Sequence, residues 1–213
     1  MTDRLRGINL LTMTPQAEEK GLQREFRRQA VHILVGFFVI IVHGFLGETA
    51  ISLFLMMALF GVLLSRLIVN NHLVWLKKLL GIFERKKDLE EFPGRGPIYF
   101  FLGAAATLMF FPQEIAYAGI LILSLGDSVN HYYNRQKELK TLPWNKNKNW
   151  QGLIFGIIIG TLASSSLVPL GAAFVASFIA ITLESMPLRI AHLYLNDNIF
   201  VPIVAGGVLM FFV

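Results

Sequence analysis

The chain has 213 residues, of which 54% are hydrophobic and only 15% are charged. This composition, with a mean hydropathy of +0.58, excludes an ordinary soluble domain, in which about a quarter of the residues are charged, and predicts a single-domain integral membrane protein. The absence of cysteine excludes disulfides, thiolate zinc sites and cysteine nucleophiles. The formal net charge of +5 is assigned to cytoplasmic loops and not to nucleic-acid binding.

The N-terminal segment, residues 1–29, is polar and of mixed charge, and it is predicted to be cytoplasmic or interfacial. It lacks the pattern of a cleaved signal peptide, because the first apolar run begins only near Ala30. Within it, Gln16 to Gln29 favour an amphipathic interfacial helix. Residues 30–213 are predicted to form one transmembrane domain.

Apolar runs predict an all-α bundle of about seven membrane-spanning helices. The predicted spans are Ala30–Leu46, Thr49–Asn70, Ile98–Phe111, Ile115 to about Asn134, Gly152–Leu167, Ala172 to about Leu188 and Ile199–Val213. The third, fifth and seventh spans are short, so a tilted or re-entrant path stays open for them. Between the second and third spans, His72–Glu91 combines basic residues with an apolar stripe and a Trp, which predicts a helix lying on the membrane surface.

The distribution of basic residues predicts the orientation of this bundle. All 19 Lys and Arg residues lie on one side of the predicted bundle. They precede the first span, or they lie near the end of the second, fourth or sixth span or in the loop that follows it. The only charged residues in the loops on the opposite side are Glu48 and Glu114. Because cytoplasmic loops collect Lys and Arg, the N-terminus is predicted to be cytoplasmic.

Asp127 is the leading candidate for a functional residue. It follows Gly126 inside the apolar run of the fourth span, where a carboxylate is costly unless it has a function. The strictly apolar part of this run ends at Leu125, too early to cross a bilayer, so the helix is predicted to continue through Asp127 to around Asn134. The ordinary alternative is that Asp127 pairs with Arg135 or caps a helix break.

Other polar side chains are predicted to gather at the same face. Glu184, Asp197 and Asn198 offer the oxygen ligands that suit Mg²⁺, and cationic loop residues suit phosphates. These cationic residues are Arg95, Arg135 and Lys148. The two groups together predict a Mg²⁺–nucleotide site at the membrane surface.

Each of these residues also has an ordinary alternative role. Glu184 could pair with Arg189, Asp197 could be a helix N-cap, and Lys148 could be one more cytoplasmic loop lysine. Gly94-Arg95-Gly96 could be a turn or an anion-binding nest, and it lacks the spacing of a P-loop. His32 could be a phosphate partner or a simple interfacial histidine.

Five motifs in order along residues 25–210 resemble one known family. They are Glu25-Phe-Arg-Arg-Gln-Ala-Val-His32, Gly94-Arg-Gly-Pro-Ile-Tyr-Phe-Phe-Leu-Gly103, Leu125-Gly-Asp127, Lys148-Asn-Trp-Gln-Gly152, and Glu184 followed by Asp197-Asn-Ile-Phe-Val-Pro202. The chain resembles the CTP-dependent polyprenol kinases, which include dolichol kinase, phytol kinase and the CTP-type diacylglycerol kinase. It is similar, more distantly, to phosphatidate cytidylyltransferases.

The resemblance implies a catalytic transmembrane domain that transfers the γ-phosphate of CTP to the hydroxyl of an isoprenoid alcohol. Mg²⁺ is the implied cofactor, and the implied partners are the nucleotide, the lipid alcohol and the bilayer. The implied metal ligands are Asp127, Asp197 and Asn198, with catalytic roles for Asp127, Glu184 and Lys148. The implied nucleotide-binding residues are Glu25, Arg28, His32, Gly94, Arg95, Gly96, Arg135, Lys148 and Gly152. The isoprenoid tail is expected in a groove between the fourth to seventh spans.

The chain departs from the family pattern at three positions, where it carries Asn130, Asn134 and Gln151. Three alternatives stay open: a cytidylyltransferase that makes a CDP-activated lipid, a small transporter, and an inactive scaffold, which Asn134 and Gln151 suggest. A transporter would use Asp127 and Glu184 as a relay, but the two halves show no inverted repeat and the acids cluster near one face. The identity of the alcohol, the choice between CTP and ATP, and the oligomeric state are also open.

Overall fold

The computed structural model describes residues 15–84, 86–136, 139–187, 189–190, 193–194 and 196–213. Three parts of the predicted basic segments, residues 1–14, Arg85 and Lys137, lie outside the described residues. The regular elements of the described chain are helices and one short antiparallel hairpin, in which β1, Arg189–Ile190, pairs with β2, Leu193–Tyr194. An isolated β-bridge joins Thr141 and Asn149 in the loop before the eighth α-helix. The prediction of a helical fold is therefore confirmed.

Ten α-helices and one π-helical segment follow one another in the described chain. They are α1 (Pro15–Leu46), α2 (Thr49–Val69), α3 (Val74–Leu80), α4 (Lys86–Glu91), α5 (Arg95–Phe110), α6 (Gln113–Leu121), the π segment (Ile122–Asp127), α7 (Ser128–Tyr133), α8 (Trp150–Ser164), α9 (Leu170–Ser185) and α10 (Asp197–Leu209).

Two of these helices are long and apolar enough to cross a membrane: α1 from Gly21, with 26 residues, and α2, with 21 residues. Large apolar side chains on both helices are exposed, as Leu34 and Met56 illustrate at 67% each. Helices α8, α9 and α10 are apolar but have only 15, 16 and 13 residues, which is shorter than the ~20 residues that a span needs. The seven-span topology and the cytoplasmic N-terminus therefore stay predictions.

Two predicted helices differ from those in the structure. The interfacial helix expected before Ala30 is continuous with the first span, because no proline interrupts α1 after its first residue. The boundary between residues 29 and 30 thus falls inside one helix. The single surface helix predicted over His72–Glu91 is instead two short helices, α3 and α4. The break begins at Gly81, which follows the last residue of α3, and glycine is unfavourable in a helix interior.

A central helical rod formed by α6, the π segment and α7 runs from Gln113 to Tyr133 without a break. This confirms the prediction that the helix continues through Asp127. The rod packs against α1, α5, α8 and α10, and every residue from Ile115 to Ser124 is buried, as expected for a helix that is apolar on all sides. The π turn ends at Asp127, and such turns are frequent at functional sites.

Glycines allow the surrounding helices to approach closely. Gly156 and Gly160 of α8 lie against Gly126 of the π segment, since a Cβ on Gly126 would lie 2.9 Å from the carbonyl oxygen of Gly156 and 3.0 Å from the Cα of Gly160. A Cβ on Gly103 in α5 would overlap the backbone of Asn198 and lie 2.9 Å from the Cα of Ile199. Gly103 therefore fixes the first turn of α10 against α5.

We predict that Gly103→Ala lowers the thermal stability of the purified protein. The added methyl group meets backbone atoms that cannot rotate away, and overpacking of this kind costs about 1–3 kcal/mol. Gly207→Ala on α10 is the matched control, because a Cβ there has nothing within 4 Å. Thermal unfolding in detergent should give a lower Tm for the first variant and an unchanged or higher Tm for the second. Equal Tm values would contradict the close contact.

Candidate functional site

A cavity of about 530 Å³ lies where several helix ends meet. Its walls come from α1, the α3–α4 region, the first turn of α5, the end of the central rod and the start of α10. Its polar lining is Arg28, Gln29, His32, Glu84, Asp88, Arg95, Asp127, His131, Asn196, Asp197 and Asn198, and its large apolar lining is Val31, Val35, Leu79, Leu80, Phe83 and Phe100. The cavity thus combines acids, cations and an apolar wall.

Asp127 and His131 form the polar floor of this cavity. They lie four residues apart on one helix face, and Asp127 Oδ1 is 3.0 Å from His131 Nδ1. The other ring nitrogen, Nε2, is 3.7 Å from Asp197 Oδ2 and 4.0 Å from Glu184 Oε1. His131 therefore lies among three carboxylates from three different elements. Sequence reasoning gave His131 no role, although its four-residue spacing from Asp127 was a usable signal.

Glu184, near the end of α9, is buried and has a partner for each carboxylate oxygen. Lys148 Nζ forms an ion pair with Oε1, and Asn130 Nδ2 donates to Oε2 at 2.7 Å. Burial alone would lower the pKa of Lys148, but the carboxylates of Glu184 and Asp127 raise it above its ordinary value. The ammonium group is therefore charged, and the two predicted catalytic residues Lys148 and Glu184 are brought together beside the cavity.

Two of the three positions that depart from the motifs, Asn130 and Asn134, build a hydrogen-bonded chain that supports Lys148 and Glu184. Asn134 Nδ2 donates to Asn130 Oδ1 at 2.9 Å, and the backbone N–H of Asn149 donates to Asn134 Oδ1 at 2.8 Å. A Cβ on Gly152 would lie 2.8 Å from the carbonyl oxygen of Asn130, so this glycine allows α8 to approach α7. Gly152 does not line the cavity, and Gln151 Oε1 is buried without a hydrogen-bond partner among the described residues.

The start of α10 presents Asp197 and Asn198 to the cavity. The N-cap is Asn196, whose Oδ1 accepts from the backbone N–H of Asn198 at 3.1 Å. The ordinary alternative for Asp197, a helix N-cap, is therefore wrong, and its carboxylate stays 43% exposed. Asn198 Nδ2 donates to the carbonyl oxygen of Gly96 at 3.0 Å, so its amide oxygen is left to accept or to coordinate.

The Gly94-Arg95-Gly96 segment begins α5 at the rim of the cavity. Gly94 has φ +80°, a left-handed conformation that favours glycine. Its N–H donates to Glu84 Oε1 at 2.8 Å. Arg95 and Gly96 line the cavity, whereas Gly94 does not. The guanidinium of Arg95 lies 5.7 Å from the ring centre of Tyr99.

Residues of the first motif, Glu25 to His32, line two different cavities. Buried Glu25 accepts from Arg28 Nη2 at 2.6 Å and from Arg135 Nε at 3.1 Å. These three residues line a second cavity of about 120 Å³, and Arg28 lines both cavities. Arg135 and Lys148, two predicted phosphate ligands, do not line the larger cavity. His32 does line it, with its ring edge-on to Phe100 and a buried Nε2 that has no hydrogen-bond partner among the described residues.

The donor set of the larger cavity fits a divalent cation. The predicted ligands Asp127, Asp197 and Asn198 all line it, and two carboxylates with an amide oxygen are hard ligands of the type that Mg²⁺ takes. A second grouping overlaps with the first, because Asp127, His131 and Glu184 each offer one atom within 4.8 Å of the others. Asp127 belongs to both groupings.

One curated protein provides a comparison with this geometry. The chain is 26% identical over 214 residues to phytol kinase 1, chloroplastic, from Arabidopsis thaliana, and the alignment covers 91% of this chain and 68% of that protein. No protein-family model matches the chain, and no solved structure matches it. The distant similarity supports the relationship to polyprenol and phytol kinases that the motifs indicated.

We predict that Asn130→Ala destabilises the fold. The substitution removes the donor to Glu184 Oε2 and leaves a buried carboxylate oxygen unpaired, and a hydrogen bond to a charged group contributes about 1.5–3 kcal/mol. Thermal unfolding should show a Tm lower by roughly 2–4 °C per kcal/mol lost. Asn70→Ala, at an exposed asparagine, is the control and should leave Tm within error. A normal Tm for the Asn130 variant would mean that its bond to Glu184 is dispensable.

Proposed function

We propose that this protein is a membrane lipid kinase that transfers the γ-phosphate of CTP to the hydroxyl of an isoprenoid alcohol of the polyprenol, dolichol, phytol or geranylgeraniol type. The observation that carries the proposal is the larger cavity, which brings Asp127, Asp197 and Asn198 together with Arg28 and Arg95. Phosphoryl transfer depends mainly on positioning and charge neutralisation by such groups. The similarity to a phytol kinase supports the choice of an isoprenoid alcohol as acceptor.

Mg²⁺ is the proposed cofactor, and Asp127, Asp197 and Asn198 would hold it. Bound there, it would neutralise charge on the phosphates. Arg28 and Arg95 would bind phosphate oxygens, since guanidinium groups suit phosphate geometry. Bond formation between the alcohol oxygen and the γ-phosphorus, with cleavage of the bond to the β-phosphate oxygen, releases CDP.

Asp127 is the proposed group that orients the alcohol and accepts its proton. Glu184 was the other candidate for this role, but it does not line the cavity, whereas Asp127 does. We assign Glu184 instead to holding the Lys148 ammonium next to the cavity, where its charge favours the ionised form of Asp127. His131, 3.0 Å from Asp127 Oδ1, keeps the Asp127 carboxylate directed at the cavity.

We propose that the protein is a multi-pass cell-membrane protein with about seven spans and its active site on the cytoplasmic side. The positions of the helix ends support a site that lies on one side of the membrane. The cavity gathers the starts of α5 and α10 and the end of the central rod, and Glu184 lies near the end of α9. In an up-and-down bundle these ends belong to the side predicted to carry the Lys and Arg residues.

The proposal predicts that Asp127→Asn lowers lipid phosphorylation by about 100-fold or more, because the loss of a group that acts at the reacting atoms has this order of effect. The assay follows phosphate transfer from CTP to phytol, geranylgeraniol, a polyprenol and diacylglycerol with the detergent-purified protein. Glu114→Gln, at an exposed acid away from the cavity, is the control and should keep full activity. An Asp127 variant with most of the activity and a normal Tm would remove Asp127 from the mechanism.

A further inference from the structure

Glu84 is a half-buried acid in the cavity wall, and the proposed mechanism assigns it no role. It lies in the linker between α3 and α4 and lines the cavity. Its two oxygens differ: Oε1 accepts from the N–H of Gly94 at 2.8 Å, whereas Oε2 is shielded from solvent and has no hydrogen-bond partner among the described residues. Burying such an acceptor without a donor is costly, which points to a donor supplied by a ligand.

Among the described residues, the two cations that line this cavity do not fill this gap. Arg28, which lines the same cavity, is paired with Glu25 at 2.6 Å, and Arg95 lies over Tyr99. Burial raises the pKa of Glu84 above its ordinary value, and the Gly94 N–H offsets only part of this effect. Within the described part of the chain, Oε2 therefore lacks the hydrogen-bond partner that a buried polar atom usually has.

The surroundings of Glu84 indicate which part of a nucleotide would meet it. Asp88 lines the same wall, so two acids from the α3–α4 region would repel a triphosphate there. The neighbouring wall is apolar and aromatic, with Leu79, Leu80 and Phe83. An uncharged ring with a polar edge fits such a wall, because ligand pockets combine apolar surface with a few placed polar groups.

We propose that Glu84 Oε2 accepts a hydrogen bond from the nucleoside part of the donor nucleotide and thereby selects which nucleotide binds. This inference rests on the proposed function in that it takes the cavity to be the nucleotide site. Two parts of a nucleoside can donate this hydrogen bond: the exocyclic amino group of the base and the ribose hydroxyls. Neither α3 nor α4 has a buried residue, so the linker can adjust as the ligand enters.

The test is equilibrium binding of CTP, UTP and 2′-deoxy-CTP to the full-length protein in detergent with Mg²⁺ and without any lipid alcohol. UTP replaces the amino group with a carbonyl oxygen that would face the carboxylate, and 2′-deoxy-CTP removes one hydroxyl. For the wild type, the Kd of one of these analogues should be on the order of 10- to 100-fold higher than the Kd of CTP, which is the range expected for a hydrogen bond to a charged group. Selection against UTP assigns the amino group, and selection against 2′-deoxy-CTP assigns the ribose.

Glu84→Gln is the decisive variant because its amide oxygen can still accept from Gly94 while its amide nitrogen donates. The discrimination should fall to within about 3-fold, and UTP should gain affinity if the amino group is the partner. Glu90→Gln, the same change at an exposed acid, should behave as wild type, and Tm shows that each variant is folded. Unchanged discrimination in folded Glu84→Gln, or none in the wild type, overturns the inference. If the protein discriminates between the nucleotides but phosphorylates no lipid, this inference is supported and the proposed kinase function is overturned.

Discussion

The buried carboxylate of Asp127, balanced by the imidazole of His131 and by nearby Lys148, is the interaction on which the rest of the site depends. A carboxylate in an apolar helix is costly unless cations or hydrogen bonds compensate for it. Here the compensation comes from two elements, because His131 lies on the same rod and Lys148 precedes α8. Glu184 on α9 pairs with Lys148, and Asp197 at the start of α10 adds a further carboxylate beside His131. The arrangement of three helix ends is thus tied to the charge balance around one side chain.

Much of the fold could be predicted because apolar length and breakers act locally. The helix through Asp127, the short turn at Gly47 and the close packing of α8 through its glycines all follow from such signals. The break at Gly81 was missed because the apolar and basic pattern of His72–Glu91 continues across it, and the continuity of α1 was missed because a change in polarity was taken as an end of a helix. Both errors concern how neighbouring segments join, which depends on tertiary contacts more than on composition.

The functional site, like the fold, could be predicted from the sequence only in part. Asp127, Glu184, Lys148, Asp197 and Asn198 stand out in the sequence because charged and amide side chains at the ends of apolar helices need partners, and the structure brings them together. The role of Asn130 could not be found in the same way, because it depends on a long-range contact: Asn130 reaches Glu184 across 54 residues of sequence. Arg135 was assigned to phosphate by charge alone, but it pairs with Glu25 across 110 residues. Sequence reveals candidate charges, whereas the fold decides which of them meet.

The central claim is that Asp127 and its surrounding charges support transfer of a terminal phosphate to a lipid hydroxyl. The most direct measurement gives the purified protein an isoprenoid alcohol with CTP labelled either in the γ-phosphate or in the α-phosphate, and follows the label into the lipid. The account predicts that only the γ-label moves and that CDP is released in equal amount. Transfer of the α-label with release of pyrophosphate would contradict it and would show a cytidylyltransferase.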